Sequence, residues 1–502
     1  MPMKFSIPKK VKCLLEPGDG LLQRTIRSGA WVFAIRIAGQ GFGFVRMIII
    51  ARILAPDDFG LFGIAMLAMA ALSTFTQTGF SAALIQKKGK TEDYLNTAWT
   101  VTILRGGGIF TVLFFAAPYV AAFFNVPEAT NIIRVIGVAT LLDGFANIGV
   151  VYFQKELEFN KQFFYEFSGI MADFVVVVST ALILRSVWAL VFGLLASSMV
   201  KLIVSYRIHP CRPHLSLDLA KAKELFGFGK WILGSNIVVF LFSQGDDGFV
   251  GKLLGAASLG LYQMAYRISN APTSEITDVF SRVAFPAYSK LQGNLQGLRQ
   301  AYLKVLQFSA FLSIPLAGGI FILAPEFTQI VLTVKWMPMV PALQVLTLFG
   351  VLRSISATAG NVFPGVGKPQ IATKWNSIRL GVLAAVIYPL TIRWGIMGAS
   401  IAVVLAQIVL TIGFCYMVIQ ITDCGLRNFS RLIGLPLVST AIMVLLIFGL
   451  KTTFDTTGIG QLILLVVAGI ATYFGATYLL DIFCNYGMRS LIKESLKSLR
   501  GN

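Results

Sequence analysis

Residues 29–61 read GAWVFAIRIAGQGFGFVRMIIIARILAPDDFGL. Two basic residues, Arg24 and Arg27, precede them. An apolar run of about 24 residues follows, the length an α-helix needs to cross a bilayer core at 1.5 Å per residue. Ala55-Pro56-Asp57-Asp58-Phe59-Gly60 then suits a turn at a membrane exit. Arg36, Gln40 and Arg46 lie inside the apolar run. The spacing of Arg36, Gly39, Gly43 and Arg46 puts all four on one helix face. A guanidinium in hydrocarbon costs about 2.5–3.5 kcal/mol even on lenient insertion scales. Two of them on a glycine-lined face point to a helix bordering a water-filled cavity.

The same pattern returns 200 residues later without a gap. Gly29, Trp31, Arg52, Leu54, Gly60, Leu61 and Ala65 align with Gly229, Trp231, Lys252, Leu254, Gly260, Leu261 and Ala265. A tryptophan, a basic residue at the helix end and the glycine after the turn all recur. The expectation is two homologous lobes, each led by one of these helices, a parallel-repeat plan that transporters use.

Outward from this stretch, apolar runs follow one another almost end to end. The 502 residues are 56% hydrophobic and 13% charged, which makes the chain a polytopic all-α membrane protein. A net charge of +19 raises the question of nucleic acid, and the distribution of the charge answers it. With connections assigned to alternate sides, one side holds only Arg52, Arg185, Lys252, Lys335, Arg393 and Lys451. Most of the remaining Lys and Arg collect on the other, including the N-terminal arm and the tail. That asymmetry puts both termini in the cytoplasm, with the basic side against anionic lipid and no need for nucleic acid. The first 27 residues carry no apolar core followed by a small-residue cleavage site, so no removable signal peptide is expected. Five scattered cysteines, Cys13, Cys211, Cys415, Cys424 and Cys484, read as reduced thiols.

Six helices are expected in the first lobe, near 28–53, 60–85, 95–123, 132–151, 163–184 and 187–204. Six more follow near 229–251, 260–283, 304–324, 342–366, 370–391 and 398–419, then two outside the repeat near 432–449 and 461–483, fourteen in all. The segment Phe285–Lys304 reads as polar and amphipathic. The domain plan is a basic arm (1–27), an N-lobe (28–204), a cytoplasmic linker (205–228) and a C-lobe (229–419). Two extra helices (420–484) and a basic tail (485–502) complete it.

Ionisable residues inside apolar helices are the informative class. The first lobe has Arg36, Arg46, Arg105, Arg134, Asp143 and Asp173, and the second Asp246, Asp247, Arg267, Glu275, Asp278, Arg353 and Arg379. Arg36, Gln40, Arg46, Arg267, Arg353 and Arg379 are the candidates for a cationic, substrate-binding cavity. A low-dielectric wall concentrates their field on an anionic ligand, and arginine matches phosphate oxygens bidentately. The competing reading is snorkelling to an interface or pairing with a neighbouring helix. Arg267, Asn270, Ser274 and Asp278 form one polar stripe, bent by Pro272, with Asp278 and Arg282 spaced for an ion pair. Asp246 and Asp247, flanked by Gly245 and Gly248, fall at the depth of Arg46 in the repeat. Coupling or gating is expected of Asp246, Asp247, Asp278, Asp143 and Asp173. They can bind a proton or a sodium ion, form a lobe-to-lobe salt bridge, or pair statically.

Several soluble-enzyme motifs fall away. Gly39, Gly41 and Gly43 lack the strand-turn-helix context of a dinucleotide site, and Gly365-Val366-Gly367-Lys368-Pro369 lacks the rest of a P-loop. No cofactor is expected. His209, Cys211 and His214 make three metal ligands without a fourth, so no metal is expected either.

Five quoted stretches carry a family likeness. They are Arg27-Ser28-Gly29-Ala30-Trp31, Arg52-Ile53-Leu54-Ala55-Pro56-Asp57-Asp58-Phe59-Gly60-Leu61 and Gln154-Lys155-Glu156-Leu157-Glu158-Phe159, then Gly251-Lys252-Leu253-Leu254-Gly255 with Leu259-Gly260-Leu261-Tyr262, and Lys335-Trp336 after Ala324-Pro325-Glu326. In order and spacing the chain resembles Wzx-type flippases of the multidrug/oligosaccharidyl-lipid/polysaccharide (MOP) exporter superfamily. The resemblance implies two six-helix lobes around a central cavity, plus two C-terminal helices. It implies transfer of an undecaprenyl-diphosphate-linked oligosaccharide across the bacterial inner membrane, driven by an ion gradient or the membrane potential. It gives Arg36, Arg46 and Arg267 a general role toward the diphosphate or acidic sugars. The expected partners are that lipid-linked oligosaccharide, membrane lipids, H+ or Na+ and polysaccharide assembly proteins. The alternatives are a multidrug/cation antiporter of the same superfamily and a membrane-embedded oligosaccharide polymerase or ligase. An enzyme is disfavoured, because the outer loops are short and hold no His/Asp/Glu cluster.

Overall fold

In hydrocarbon every backbone N–H and C=O must be satisfied within its own segment, so successive apolar runs fold as helices. A computed structural model of the protein describes residues 21–484, except 78, 81, 82, 85–91, 157 and 454–457. The first 20 residues of the arm, the tail and the side chains of Asp278 and Arg282 lie outside the described residues. Among the described residues every regular element is helical. The helices are α1 (Leu21–Ile53), α2 (Pro56–Phe75), α3 (Glu92–Phe123), α4 (Ala129–Phe145), α5 (Phe159–Leu184) and α6 (Trp188–Ile208), then α7 (Leu219–Lys290), α8 (Leu295–Phe327), α9 (Val340–Gly360), α10 (Gln370–Thr422), α11 (Leu426–Thr453) and α12 (Ile459–Cys484). Ten helical segments among the described residues are long and apolar enough to cross a membrane, or eleven if one bent pair counts as a span. The chain is a multi-pass membrane protein.

The turn after α1 forms as its residue types dictate. Pro56 occupies the first helical turn of α2, where its missing N–H costs nothing. The Asp58 carboxylate accepts the Ala55 N–H at 3.0 Å and the Val187 N–H at 2.9 Å, tying this turn to the start of α6. The turns between α3 and α4 and between α5 and α6 are also short, with Asn125 and Arg185 in the left-handed region at φ 57° and 46°.

Helix limits depart from the pattern at identifiable places. The helix expected at 60–85 stops at Phe75, and Gly79 just beyond it takes φ 67°. The one expected at 132–151 ends at Phe145 and resumes in a short turned segment, Ile148–Lys155, bent by 71°. Asn147 makes that corner: its Oδ1 accepts the Gly149 N–H and its Nδ2 donates to the Cys211 carbonyl. The segment expected to be polar and amphipathic, Phe285–Lys304, is helical up to Lys290 and again from Leu295.

The 72 residues of α7 and 53 of α10 would span about 108 and 80 Å if straight, far beyond a hydrocarbon core of roughly 30 Å. Each is broken by a non-helical glycine, Gly255 (φ 82°) and Gly395 (φ 58°). At Gly395 the chain folds back on itself, because a Cβ on Gly398 would lie 1.9 Å from the Leu390 carbonyl oxygen.

Two compact units divide at Ala257/Ser258. In the first, α5 packs against α1 and α6, α3 against α4, and α4 against α2 and α6. Its core includes Ile50, Leu54, Val177, Ala181 and Leu190 where α1, α5 and α6 meet. In the second, α9 lies between α8 and α10, while α11 packs on α8 and α12. Tyr288, Tyr302, Phe363 and Phe414 fill one of its clusters, and another joins α8, α11 and α12 around Phe311, Met443 and Tyr473.

Candidate functional site

The first unit gathers charge along the faces of α1, α5, α6 and α4. Arg46 on α1 donates to Asp173 on α5 at 3.1 Å, with side chains 23% and 18% exposed. The Arg46 Nε is buried and has no acceptor among the described residues. About two helical turns along α5, Lys201 on α6 meets Glu166 at 2.6 Å and lies 5.6 Å from the Tyr165 ring centroid. Asp143 on α4 lies beside Ser198 of α6, within electrostatic reach of Lys201 and Glu166.

Two glycines let these charges approach. A Cβ on Gly193 would fall 1.9 Å from Val177 and 2.8 Å from the Asp173 carboxylate. One on Gly169 would strike the Lys201 stem at 2.5 Å. Small residues thus allow α5 and α6 to pack closely enough for their polar groups to meet, as packing inside a bilayer requires. The arrangement can hold charge inside an apolar unit, and can change if a proton, an ion or an anionic ligand competes for one partner.

The other first-unit candidates divide by role. Arg105 donates to the Ser73 carbonyl (2.7 Å) and to Thr76 Oγ1 (3.2 Å), covering the carboxyl end of α2 where free carbonyls collect negative charge. Arg134 donates to the Phe114 carbonyl and lies 4.9 Å from that residue's ring centroid. Both arginines therefore join neighbouring helices. Arg36 is half-buried and Gln40 exposed on α1. On the first half of α7, Asp246 is buried and Asp247 half-buried. That half is held by Asn236 donating to Gln77 at 2.6 Å, Phe240 against Phe75, and Lys252 donating to the Phe123 carbonyl.

In the second unit the polar stripe of α7 meets α9. Arg353 donates to Ser274 Oγ at 3.2 Å, Asn361 donates to Ser281 at 2.9 Å, and Gly350 lies against Thr273. Asn270 is buried and donates to the Tyr266 carbonyl and to Ser269. Its Oδ1 has no partner among the described residues. Phe349, four residues before Arg353, is flanked by Tyr266 and by the Arg379 guanidinium, 5.8 Å from its ring centroid. Arg379 thus lies against an aromatic patch one helical turn along α9 from Arg353. Arg267 is exposed and Glu275 half-buried. Behind them Ser309 pairs with Ser354 at 2.7 Å, and Gln407 donates to Ser356 at 2.8 Å.

Sequence reasoning missed several ion pairs. Glu166–Lys201 is one, and Lys451 on α11 with Glu326 on α8, at 2.6 Å, side chains 17% and 12% exposed, is another. Asp481 on α12, 6% exposed, was also missed. Glu166 and Asp173 stand seven apart on one apolar helix, a signal that would have exposed the first pair. The histidines have other work. Among the described residues no three metal-ligating side chains gather. The His209 ring accepts the Cys211 N–H, and His214 meets Asn96.

The family of polysaccharide biosynthesis proteins matches residues 49–341, more than half of the chain. The chain belongs to this family. Like other polysaccharide biosynthesis proteins it has relatives along nearly its whole length. It is 26% identical to the lipopolysaccharide biosynthesis protein WzxC of Escherichia coli (strain K12), over 83% of this chain and 85% of that one. It is 23% identical to a probable low-salt glycan biosynthesis flippase, Agl15, of Haloferax volcanii, over 93% of this chain and 98% of the relative. Its fold is that of the lipid II flippase MurJ in an inward closed conformation, with a TM-score of 0.74 at 15% identity, covering 93% of this chain and all of that one.

Proposed function

We propose that the chain is a flippase that carries an undecaprenyl-diphosphate-linked oligosaccharide from the cytoplasmic to the periplasmic leaflet of a bacterial inner membrane by alternating access. The observation that carries this reading is the end-to-end likeness to the probable glycan biosynthesis flippase Agl15, 93% of this chain against 98% of the relative. The MurJ-like fold supports it, and no P-loop for ATP hydrolysis stands in the sequence. The chain crosses the membrane fourteen times, α7 and α10 each supplying two crossings across Gly255 and Gly395. Both termini lie in the cytoplasm.

Arg36, Gln40, Arg46, Arg267, Arg353 and Arg379 receive the diphosphate and any acidic sugar. Asp143, Asp173, Asp246, Asp247 and Asp278 carry the coupling ion or gate. The Arg46–Asp173 pair gives this a concrete form: a proton or sodium ion arriving at Asp173 frees the guanidinium for an anionic oxygen, and its departure closes the pair again. A strain lacking the gene tests the reading. Lipid-linked repeat units accumulate on the cytoplasmic face and disappear from the periplasmic face. If they still reach the periplasmic leaflet at the normal rate, the reading is wrong. A purified protein that exports cationic drugs but moves no lipid-linked glycan is the antiporter instead.

A further inference from the structure

The ten residues His209–Asp218, between α6 and α7, are extended and bonded along the first turns of α3. The backbone N–H groups of His214, Ser216 and Asp218 donate to the side chains of Asn96 (3.1 Å), Thr100 (3.0 Å) and Thr97 (3.4 Å). The Cys211 carbonyl takes the Asn147 amide at 2.7 Å. Asp218 then caps α7, its carboxylate accepting the Ala220 and Lys221 N–H groups, and the Lys221 amide holds that carboxyl below the usual range. The strap is therefore the covalent lead into α7, and its last residue is both that helix's cap and its tether to α3.

Both histidines of the chain lie in this strap, and each uses a ring nitrogen as an acceptor. His209 Nδ1 accepts the Cys211 N–H at 3.1 Å. Its ring stacks on Tyr152 at 5.8 Å and an interplanar angle of 7°. It also covers Gly149, where a Cβ would come within 2.3 Å of Nδ1. For His214 the Asn96 amide decides the roles. Its Oδ1 already accepts the His214 N–H, so its Nδ2 is the atom facing His214 Nε2 at 3.1 Å. An amide NH2 only donates, so Nε2 must carry a lone pair. An added proton turns either contact from donor–acceptor into donor–donor.

We propose that His209–Asp218 is a pH-sensitive strap, docked on α3 while the His209 imidazole is neutral and released when it protonates. The groups around His209 are Lys161 of α5, Glu158 at that helix's N-cap, Glu156 of the preceding turn and Arg212 of the strap itself. Burial is the largest influence and lowers its pKa; Lys161 and Arg212 act the same way, the two glutamates against it. His214 meets uncharged Asn96 of α3. The sign follows: the docked His209 binds protons less readily than the free imidazole, whose pKa is about 6.5. Docking is at full strength above that value and is lost as cytoplasmic pH falls below it toward the docked value. Release frees the amino end of α7, so acidification of the cytoplasm acts on that helix whatever the cargo is.

Hydrogen exchange of the full-length protein in nanodiscs tests this, comparing peptides covering 209–218 at pH 7.5 and 5.5 after correction for intrinsic exchange rates. Protection at the Ser216 and Asp218 amides should be lost at the lower pH, where the protonated ring no longer accepts and the strap releases. Protection in α5 should stay unchanged. The double variant His209→Asn/His214→Gln keeps an acceptor at both positions without a titrating ring and should stay protected at both pH values. Equal wild-type protection at the two pH values overturns the proposal. So does a folded double variant that retains the pH response. The wild-type comparison needs no variant to fold.

Discussion

At the scale of single residues the clearest constraint is steric. A Cβ on Gly60 would sit 1.7 Å from the Ala256 carbonyl oxygen and 2.4 Å from its carbon, and backbone on both sides cannot yield as a flexible side chain can. Gly60→Ala should therefore cost more than the usual 1–3 kcal/mol of overpacking and should abolish recovery of monodisperse protein from detergent. Wild-type yield and melting temperature from G60A would show that the contact yields. The Arg46–Asp173 pair makes the opposite kind of claim. Removing the guanidinium leaves a largely covered carboxylate, so Arg46→Met should destabilise by about 3–5 kcal/mol, and adding Asp173→Asn should restore most of it. Thermal melting reads both. If Arg46→Met melts like wild type while transport fails, Arg46 serves cargo without holding α1 to α5.

At the scale of elements, apolar periodicity announces helices well, and their ends poorly. The broken glycines Gly255 and Gly395 fall in the gaps expected between helices, because only a residue without Cβ adopts those angles cheaply. Ion pairs between helices are another matter. Arg105 and Arg134 look in sequence like any other intramembrane arginine, yet Arg105 bonds a hydroxyl and a carbonyl 29 and 32 positions away and Arg134 a carbonyl 20 positions away. Lys451 and Glu326 stand 125 positions apart, and no period links them. That pair also carries a prediction. Lys451 holds both Glu326 and the Ile322 carbonyl (2.9 Å), so one ammonium secures α11 to α8. Lys451→Met should lower stability by about 3–5 kcal/mol and expose the α11–α12 hairpin to limited proteolysis, whereas Lys451→Arg should be mild. Unchanged proteolysis in the methionine variant would mean that packing around Met443 and Tyr473 suffices to hold the hairpin.

For the whole molecule, the sidedness of charge predicts orientation, and α6 turns that into a measurement. Its 21 residues run from the Arg185-Ser186 turn to the strap that holds Cys211, about 32 Å along the axis and enough to separate the two faces of a bilayer core. If Lys and Arg favour the cytoplasm, Ser186 is outside and Cys211 inside. Replacing Cys13, Cys415, Cys424 and Cys484 with serine leaves the half-buried Cys211 as the only cysteine of the sequence. A membrane-impermeant maleimide applied to intact cells should leave it unmodified and should label it once the membrane is permeabilised. A Ser186→Cys variant in a Cys211→Ser background should label in intact cells. The reverse pattern would place both termini outside. The strap would then sense periplasmic pH, and the basic side of the chain would face the leaflet into which cargo is delivered. The direction of transport proposed above would have to be given up with it.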